Sequence, residues 1–343
     1  MYKGAKVYCD GNAFIAIPHR TGICRKTPRQ DEMIMIEQEI QVDENGVIVE
    51  AVKEPKKPKN QRNEEKDIEI PCEVKTPVKT VTIERLVPKS SLFNKYYAES
   101  LELPYNERKE YVFERLEPYA GPLGLDSYIS EGFDRKRRNL ISKRKRLVRK
   151  AYLYGDWNYF VTFTYNDELH NEASFRKKLS DYLKNNSYRK SWKYIGVWER
   201  GEESDRLHFH GIFDIPEGTL PGNITEVEEY DFKTHKMRKT HPCDYITKKF
   251  GRNDFEELDK NDLSRALGYL MKYIEKSGEK IVYSRGLPEY RISDILEEDV
   301  VCPLDKYEER LVLFDDFMCI DNGVKLGACT LENLKKLPYS NKN

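Results

Sequence analysis

Cysteine is sparse and unpatterned in this chain of 343 residues. The seven cysteines, Cys9, Cys24, Cys72, Cys243, Cys302, Cys319 and Cys329, are odd in number and form no C-x-x-C pair. That spacing argues against a disulfide framework and a zinc ribbon. Cys9, His19 and Cys24 are near in sequence, but their spacing fits no common metal site. No apolar run approaches transmembrane length, and Met1-Tyr2-Lys3-Gly4 opens no signal peptide. Net charge is also missing. The 59 Lys and Arg balance 59 Asp and Glu, so no global field draws the chain to nucleic acid. There is no internal repeat and no G-x-x-x-x-G-K-[ST], hence no P-loop helicase within the chain. These absences lead to the expectation of a cytoplasmic, reduced protein of one large or two small domains.

What is present is concentrated in two short segments. Arg206-Leu207-His208-Phe209-His210-Gly211-Ile212-Phe213 alternates as a strand does, so His208 and His210 share one face while Leu207 and Phe209 point to the other. Two imidazoles on one strand face can hold one divalent metal. Further on, Tyr269-Leu270-Met271-Lys272-Tyr273-Ile274-Glu275-Lys276 reads as a helix. There Tyr269 and Tyr273 stand at i and i+4, one above the other. A metal pair facing two stacked phenols suggests a tyrosine nucleophile attacking a metal-polarised phosphodiester, and names DNA as the substrate. Taken singly, the histidines also suit a solvated strand face and the tyrosines a helix core. The conjunction favours chemistry.

Upstream, residues 193–199 read as a strand, and Gly201 to Asp205 is turn chemistry leading into the histidine strand. A hairpin there places Glu199 beside His208 and His210. Glu202 or Glu203 could serve instead, but they fall in the turn and are less well fixed for ligation. A Glu–His–His set of mixed oxygen and nitrogen donors suits Mg²⁺ or Mn²⁺ with positions open to phosphate oxygens.

These residues resemble the HUH endonuclease superfamily, specifically rolling-circle replication initiators. Three motifs match in order: the strand Tyr159-Phe160-Val161-Thr162-Phe163-Thr164-Tyr165-Asn166; His208-Phe209-His210 with Glu199 upstream; and Tyr269-x3-Tyr273-x2-Lys276. The last is similar to the two-tyrosine pattern of phage and plasmid initiators. The resemblance covers about residues 156–285, and relaxases of the superfamily place the tyrosine ahead of the histidines. It implies a ferredoxin-like or palm-like sheet carrying the metal, with the tyrosine helix alongside. It also implies a 5′-phosphotyrosine link, a free 3′-hydroxyl primer, and origin DNA, a host helicase and a host polymerase as partners in a bacterial cell. Lys272 and Lys276 are candidates for a cation that assists the tyrosine or touches phosphate. A single-strand transposase, a relaxase and a non-enzymatic DNA-binding protein stay open as alternatives.

Local charge departs from the global balance. Residues 135–150 carry ten Lys or Arg and no acid. Arg135, Lys136, Arg137, Arg138, Lys143, Arg144, Lys145 and Arg146 are therefore expected to track phosphates, since released counterions supply sequence-independent affinity. The chain divides into a small N-terminal segment (1–52), a linker rich in Lys, Glu and Pro (53–80), a connecting region (81–155) with a basic helix at 134–153, a nuclease domain (156–290) and a C-terminal strand and tail (291–343). Within it, helices are expected at 171–185 and 261–277, hairpins at 193–214 and 225–250, and closing strands at 280–285 and 309–317. His235 and His241 in the second hairpin read as surface residues. The expected class is α+β, an antiparallel sheet with helices on one face and the histidine strand central.

Overall fold

A computed structural model describes residues 1–11, 13–19, 31–42, 48–51, 79–201, 206–231, 235–259, 263–277, 280–305 and 309–339. Side chains at 38–42, 48–51, 79, 231 and 275–277 lie outside that description. The expected linker at 53–78, Cys24, Glu202 and Glu203 fall outside it too. The chain forms two compact units, Cys24–Arg137 and Met1–Ile23 with Arg138–Asn343.

In the first of these, β3 (Met33–Val42) pairs with β4 (Ile48–Ala51) and β5 (Lys79–Pro88). The helices α1 (Lys89–Ser100) and α2 (Arg108–Ala120) follow, then α3 (Leu125–Tyr154), whose opening turns belong to this unit. Phe93, Leu92, Val112, Leu116, Leu125 and Ile129 form its core. Sequence punctuation suggested irregular chain at 81–130. The structure instead uses Pro104 between α1 and α2, Pro118 in the last turn of α2, and Gly121, at φ 67°, as the left-handed stop after it. These residues mark where helices end.

The other unit holds two five-stranded antiparallel sheets. One sheet has the order β13-β1-β2-β15-β14, with β1 (Tyr2–Cys9), β2 (Phe14–Ile17), β13 (Arg291–Ile295), β14 (Val300–Pro303) and β15 (Leu311–Leu313). The expectation treated 1–52 and 291–343 as separate pieces. Here Val7 faces Arg291 across one ladder and Ile15 faces Val312 across another, so the two ends of the chain build one sheet. The strand expected at 309–317 thus closes this sheet and not the nuclease sheet. A hairpin of β16 (Met318–Asp321) and β17 (Val324–Ala328), then α7 (Leu331–Lys336), complete that core around Phe317 and Leu334.

The second sheet has the order β11-β6-β8-β7-β12, with β6 (Tyr159–Thr164), β7 (Lys193–Arg200), β8 (Leu207–Asp214), β11 (Asn253–Glu257) and β12 (Val282–Tyr283). The histidine strand β8 is central, as expected, flanked by β6 and β7. Between β6 and β7 runs α4 (Glu172–Arg189), opened by Asn171, whose side chain accepts the Ser174 amide at 2.9 Å. A ribbon of β9 (Val227–Asp231) and β10 (Lys236–Thr240) precedes α5 (Asp244–Lys249); the hairpin expected at 225–250 thus ends at 240. Helix α6 (Leu263–Ser277) completes the elements.

The α+β class and the antiparallel pairing stand. The arrangement of helices is richer than one covered face, because the two sheet faces are both apolar. Val161, Phe163, Phe209, Phe213 and Trp198 bury one face against Phe175, Leu179 and Leu183 of α4. Ile195, Val197 and Ile212 bury the opposite face against Leu263, Leu267, Leu270 and Ile274 of α6 and Leu147 and Ala151 of α3. Each such buried side chain contributes about 1.5–3 kcal/mol by leaving water. Among the described residues no helix is long and apolar enough to cross a membrane.

Candidate active site

Register places the site before any side chain is considered. Across the β7–β8 ladder Glu199 pairs with His208 and Val197 with His210. Across β6–β8, Thr162 pairs with His210 and Thr164 with His208. Side chains alternate along each strand, so Glu199, His208, His210, Thr162 and Thr164 emerge on the face that α6 covers. The opposite face needs glycine opposite glycine at Gly196 and Gly211. A Cβ on Gly196 would stand 2.2 Å from the Phe209 ring, and one on Gly211 would stand 2.8 Å from the Ile195 carbonyl oxygen. The two glycines let the sheet backbone and its aromatic cover approach closely.

His210 is the hub. Its Nε2 lies 2.7 Å from Glu199 Oε2, and its Nδ1 lies 3.0 Å from Thr162 Oγ1. The Tyr273 ring stacks on it with centroids 5.2 Å apart and planes 10° from parallel. Tyr269 meets the same imidazole edge-on at 5.5 Å and Tyr273 at 4.8 Å, and also packs on Phe160. His208, with its ring centroid 6.0 Å from that of His210, holds Thr164 Oγ1 at 2.7 Å through Nδ1. The structure therefore brings Glu199, His208, His210, Tyr269 and Tyr273 into one cluster.

Electrostatics divides the cluster. Burial pushes the His208 pKa down, the neighbouring His210 adds to this, and Glu199 opposes it, so the imidazole is neutral at neutral pH. A neutral imidazole is the form that ligates metal. Burial pushes the Tyr273 phenol up, assisted by its hydrogen bond with Tyr269 and by Glu199, which accepts its proton. Tyr269, in contrast, is 39% exposed and sits at the mouth of the cluster.

The donor set of two imidazoles and a carboxylate on one face fits a divalent cation such as Mg²⁺ or Mn²⁺. As the side chains stand, no three His, Cys, Asp or Glu among the described residues converge on one metal point. The direct Glu199–His210 contact accounts for this, since it occupies the two donors that a cation would separate.

The remaining expected residues scatter. Lys272 is exposed on α6, and the Lys276 side chain lies outside the described residues. The basic run on α3 does not act as one stripe. Arg146 binds Glu289 at 3.0 Å, while Arg135 lies over the Phe93 ring and Lys136 over the Tyr97 ring. Farther along, Arg149 pairs with Asp10, and the buried Lys150 donates to the Leu287 carbonyl at 2.9 Å. Arg137, Arg138, Lys143 and Lys145 are exposed, and Arg144 is half-buried. The acids missing from the run itself are supplied by distant chain. His235 is exposed at the tip of the β9–β10 ribbon, and His241 lies between Asp254 and Glu226.

Two site residues escaped sequence reasoning, Thr162 and Thr164. Their alternation within Tyr159–Thr164 was visible; that this alternation falls in step with the histidines was not.

An antiparallel α+β sheet that sets paired histidines and a glutamate against a two-tyrosine helix defines a candidate phosphodiester-processing site. Residues 158–278, from the edge of β6 past the end of α6, match the family model described as Replication-associated protein ORF2. All five clustered residues fall inside that match, which supports a replication-initiator role. No curated protein and no solved structure matches the chain.

Proposed function

We propose that this protein initiates rolling-circle replication by nicking and rejoining one DNA strand through a tyrosine nucleophile. The observation that carries the reading is the direct contact of both Tyr269 and Tyr273 with His210, itself hydrogen-bonded to Glu199. Glu199, His208 and His210 would hold Mg²⁺ or Mn²⁺, which supplies Lewis-acid polarisation of the scissile phosphate when bound.

The residues of the chain divide the remaining work. Tyr269 is the first nucleophile, being the exposed phenol. Its oxygen bonds to phosphorus, the P–O3′ bond breaks, the departing 3′-oxygen takes a proton, and the phenolic proton leaves to water. Tyr273 is held back by burial and by its hydrogen bonds to Tyr269 and Glu199, and serves the second cleavage. Two tyrosines one helical turn apart can reach one phosphate in turn. Rejoining needs no ATP, because the phosphotyrosine keeps the bond energy. Arg137, Arg138, Lys143 and Lys145 track phosphates without reading sequence. Strand separation and synthesis fall to a host helicase and polymerase.

The test is incubation of the full chain with a randomised single-stranded oligonucleotide pool and Mn²⁺. A protein–DNA adduct that survives denaturing electrophoresis and vanishes in EDTA is expected. Intact binding without adduct at any Mn²⁺ concentration would return the chain to a non-enzymatic DNA-binding role.

A further inference from the structure

The two histidines are held in the same way by two residues that no other observation assigns. Thr162 lies directly across the β6–β8 ladder from His210, and Thr164 directly across from His208. Each hydroxyl meets the same ring atom of its partner, Thr162 Oγ1 to His210 Nδ1 at 3.0 Å and Thr164 Oγ1 to His208 Nδ1 at 2.7 Å. Two rungs with one geometry, both on the face of Glu199 and Tyr273, are more than a polar strand requires. Valine would fill the same space on a strand and lose only the hydroxyl.

We infer that Thr162 and Thr164 are positioning residues that grip both imidazoles by Nδ1, so that Nε2 is the atom each ring presents to the reacting phosphate and its metal. A neutral imidazole has one donor and one acceptor nitrogen, and the partner of one nitrogen fixes the role of the other. His210 shows the arrangement directly, for its Nε2 already faces Glu199 Oε2 at 2.7 Å while Thr162 holds the opposite side of the ring. A hydroxyl both donates and accepts. Thr162 therefore supports His210 whether Nε2 carries a proton toward Glu199 or a lone pair toward a cation, and the ring need not turn between the two. A carboxylate in that place would accept only, and would fix one state. The stiff χ1 of threonine keeps each oxygen on its ring.

The metal arm of the inference rests on the proposed function; the ring-holding arm does not. Full-length protein is compared as wild type, T162V, T164V, T162V/T164V and T162S/T164S. In metal-free protein labelled with ¹⁵N-histidine, and assigned through H208Q and H210Q, the Nδ1 resonance of His210 shifts in T162V and that of His208 in T164V. The serine pair retains both. With Mn²⁺ alone as probe, followed by electron paramagnetic resonance, the double valine variant binds about 10- to 100-fold more weakly, as loss of such outer partners does at metal sites. The serine pair recovers most of that affinity, while the thermal midpoint separates the variants little. Unchanged Nδ1 resonances in both valine variants overturn the inference, whatever Mn²⁺ does. If wild type binds no Mn²⁺ yet the resonances shift as stated, the ring-holding role stands and the metal reading falls. Should the double variant fail to fold, each single variant reports on its own histidine.

Discussion

The imidazole of His210 and the phenol of Tyr273 lie stacked, 5.2 Å between centroids and 10° from parallel. One ring sits on the central strand and the other on the helix that crosses it, so this contact ties the candidate metal ligands to the candidate nucleophiles. Glu199 closes the arrangement by touching both.

From that contact follows an asymmetry between the tyrosines. Tyr269→Phe is expected to lower first-round adduct by about tenfold or more, since it removes the accessible nucleophile. Tyr273→Phe should leave first-round adduct nearly intact but stop repeated rounds of cleavage and joining. The double variant should give none. Adduct yield on single-stranded oligonucleotides separates these cases. Equal loss in the two single variants would contradict the assigned order.

Removing one donor should act on chemistry and spare binding. His208→Ala or His210→Ala is expected to abolish nicking, because two remaining ligands hold Mg²⁺ or Mn²⁺ too weakly. EDTA should do the same to wild type. Fluorescence anisotropy with the same oligonucleotide should show affinity within about threefold of wild type, since phosphate contacts elsewhere carry it. Nicking by the double alanine protein in EDTA would remove the metal from the account.

The split of the basic helix gives a test of its own. Reversing Arg137, Arg138, Lys143 and Lys145 together should weaken binding to every sequence and flatten the slope of log affinity against log salt by about one unit per lost contact. Arg146→Glu should behave otherwise, because that guanidinium is engaged with Glu289. Its main effect is expected in thermal stability. An unchanged salt slope in the fourfold variant would make those side chains a solvated surface.

Gly196→Ala should be costly although it adds one methyl. The new Cβ would stand 2.2 Å from the Phe209 ring and 2.9 Å from the His210 carbonyl oxygen, so ring and backbone must both shift. Overpacking of this kind costs about 1–3 kcal/mol, readable as a lower urea midpoint. Gly124→Ala, in open space but at φ 69°, probes backbone strain without a clash.

Acid should weaken the fold through His208. Its pKa is depressed below the ordinary 6.5, chiefly by burial and by His210. Unfolded chain therefore takes up a proton that folded chain refuses. The contribution is present above about pH 6.5 and is lost as pH falls through the folded value. Thermal midpoints measured from pH 7.5 down to pH 5 should fall more steeply in wild type than in His208→Gln. Parallel curves would mean that His208 titrates alike in both states.

Much of the site was legible in the sequence. Alternation in Leu207–Phe213 put both histidines on one face, and the i, i+4 spacing put Tyr269 above Tyr273. The turn chemistry after Glu199 returned the chain as a hairpin, and register then set Glu199 opposite His208. Each of these is a short-range consequence of backbone period, which is why it survives without coordinates. Three matters were not legible. The helices α1 and α2 were hidden because proline and glycine were read as disorder, where they act as stops. The basic run looked uncompensated because its acids, Asp10 and Glu289, lie far away in sequence. The threonines looked like ordinary strand residues.

What the sequence alone determined is the set of faces: which residues share a side of a strand or helix, and which elements could carry chemistry. Which faces meet was decided only by tertiary structure. The pairing of β6 with β8 sets Thr162 and Thr164 on the histidines, the packing of Leu267, Leu270 and Ile274 brings the tyrosine helix over Ile195 and Val197, and the pairing of residues near both chain ends builds the second sheet. Backbone period is local and repeats every few residues, whereas register and packing depend on which apolar surfaces bury each other across long stretches of chain.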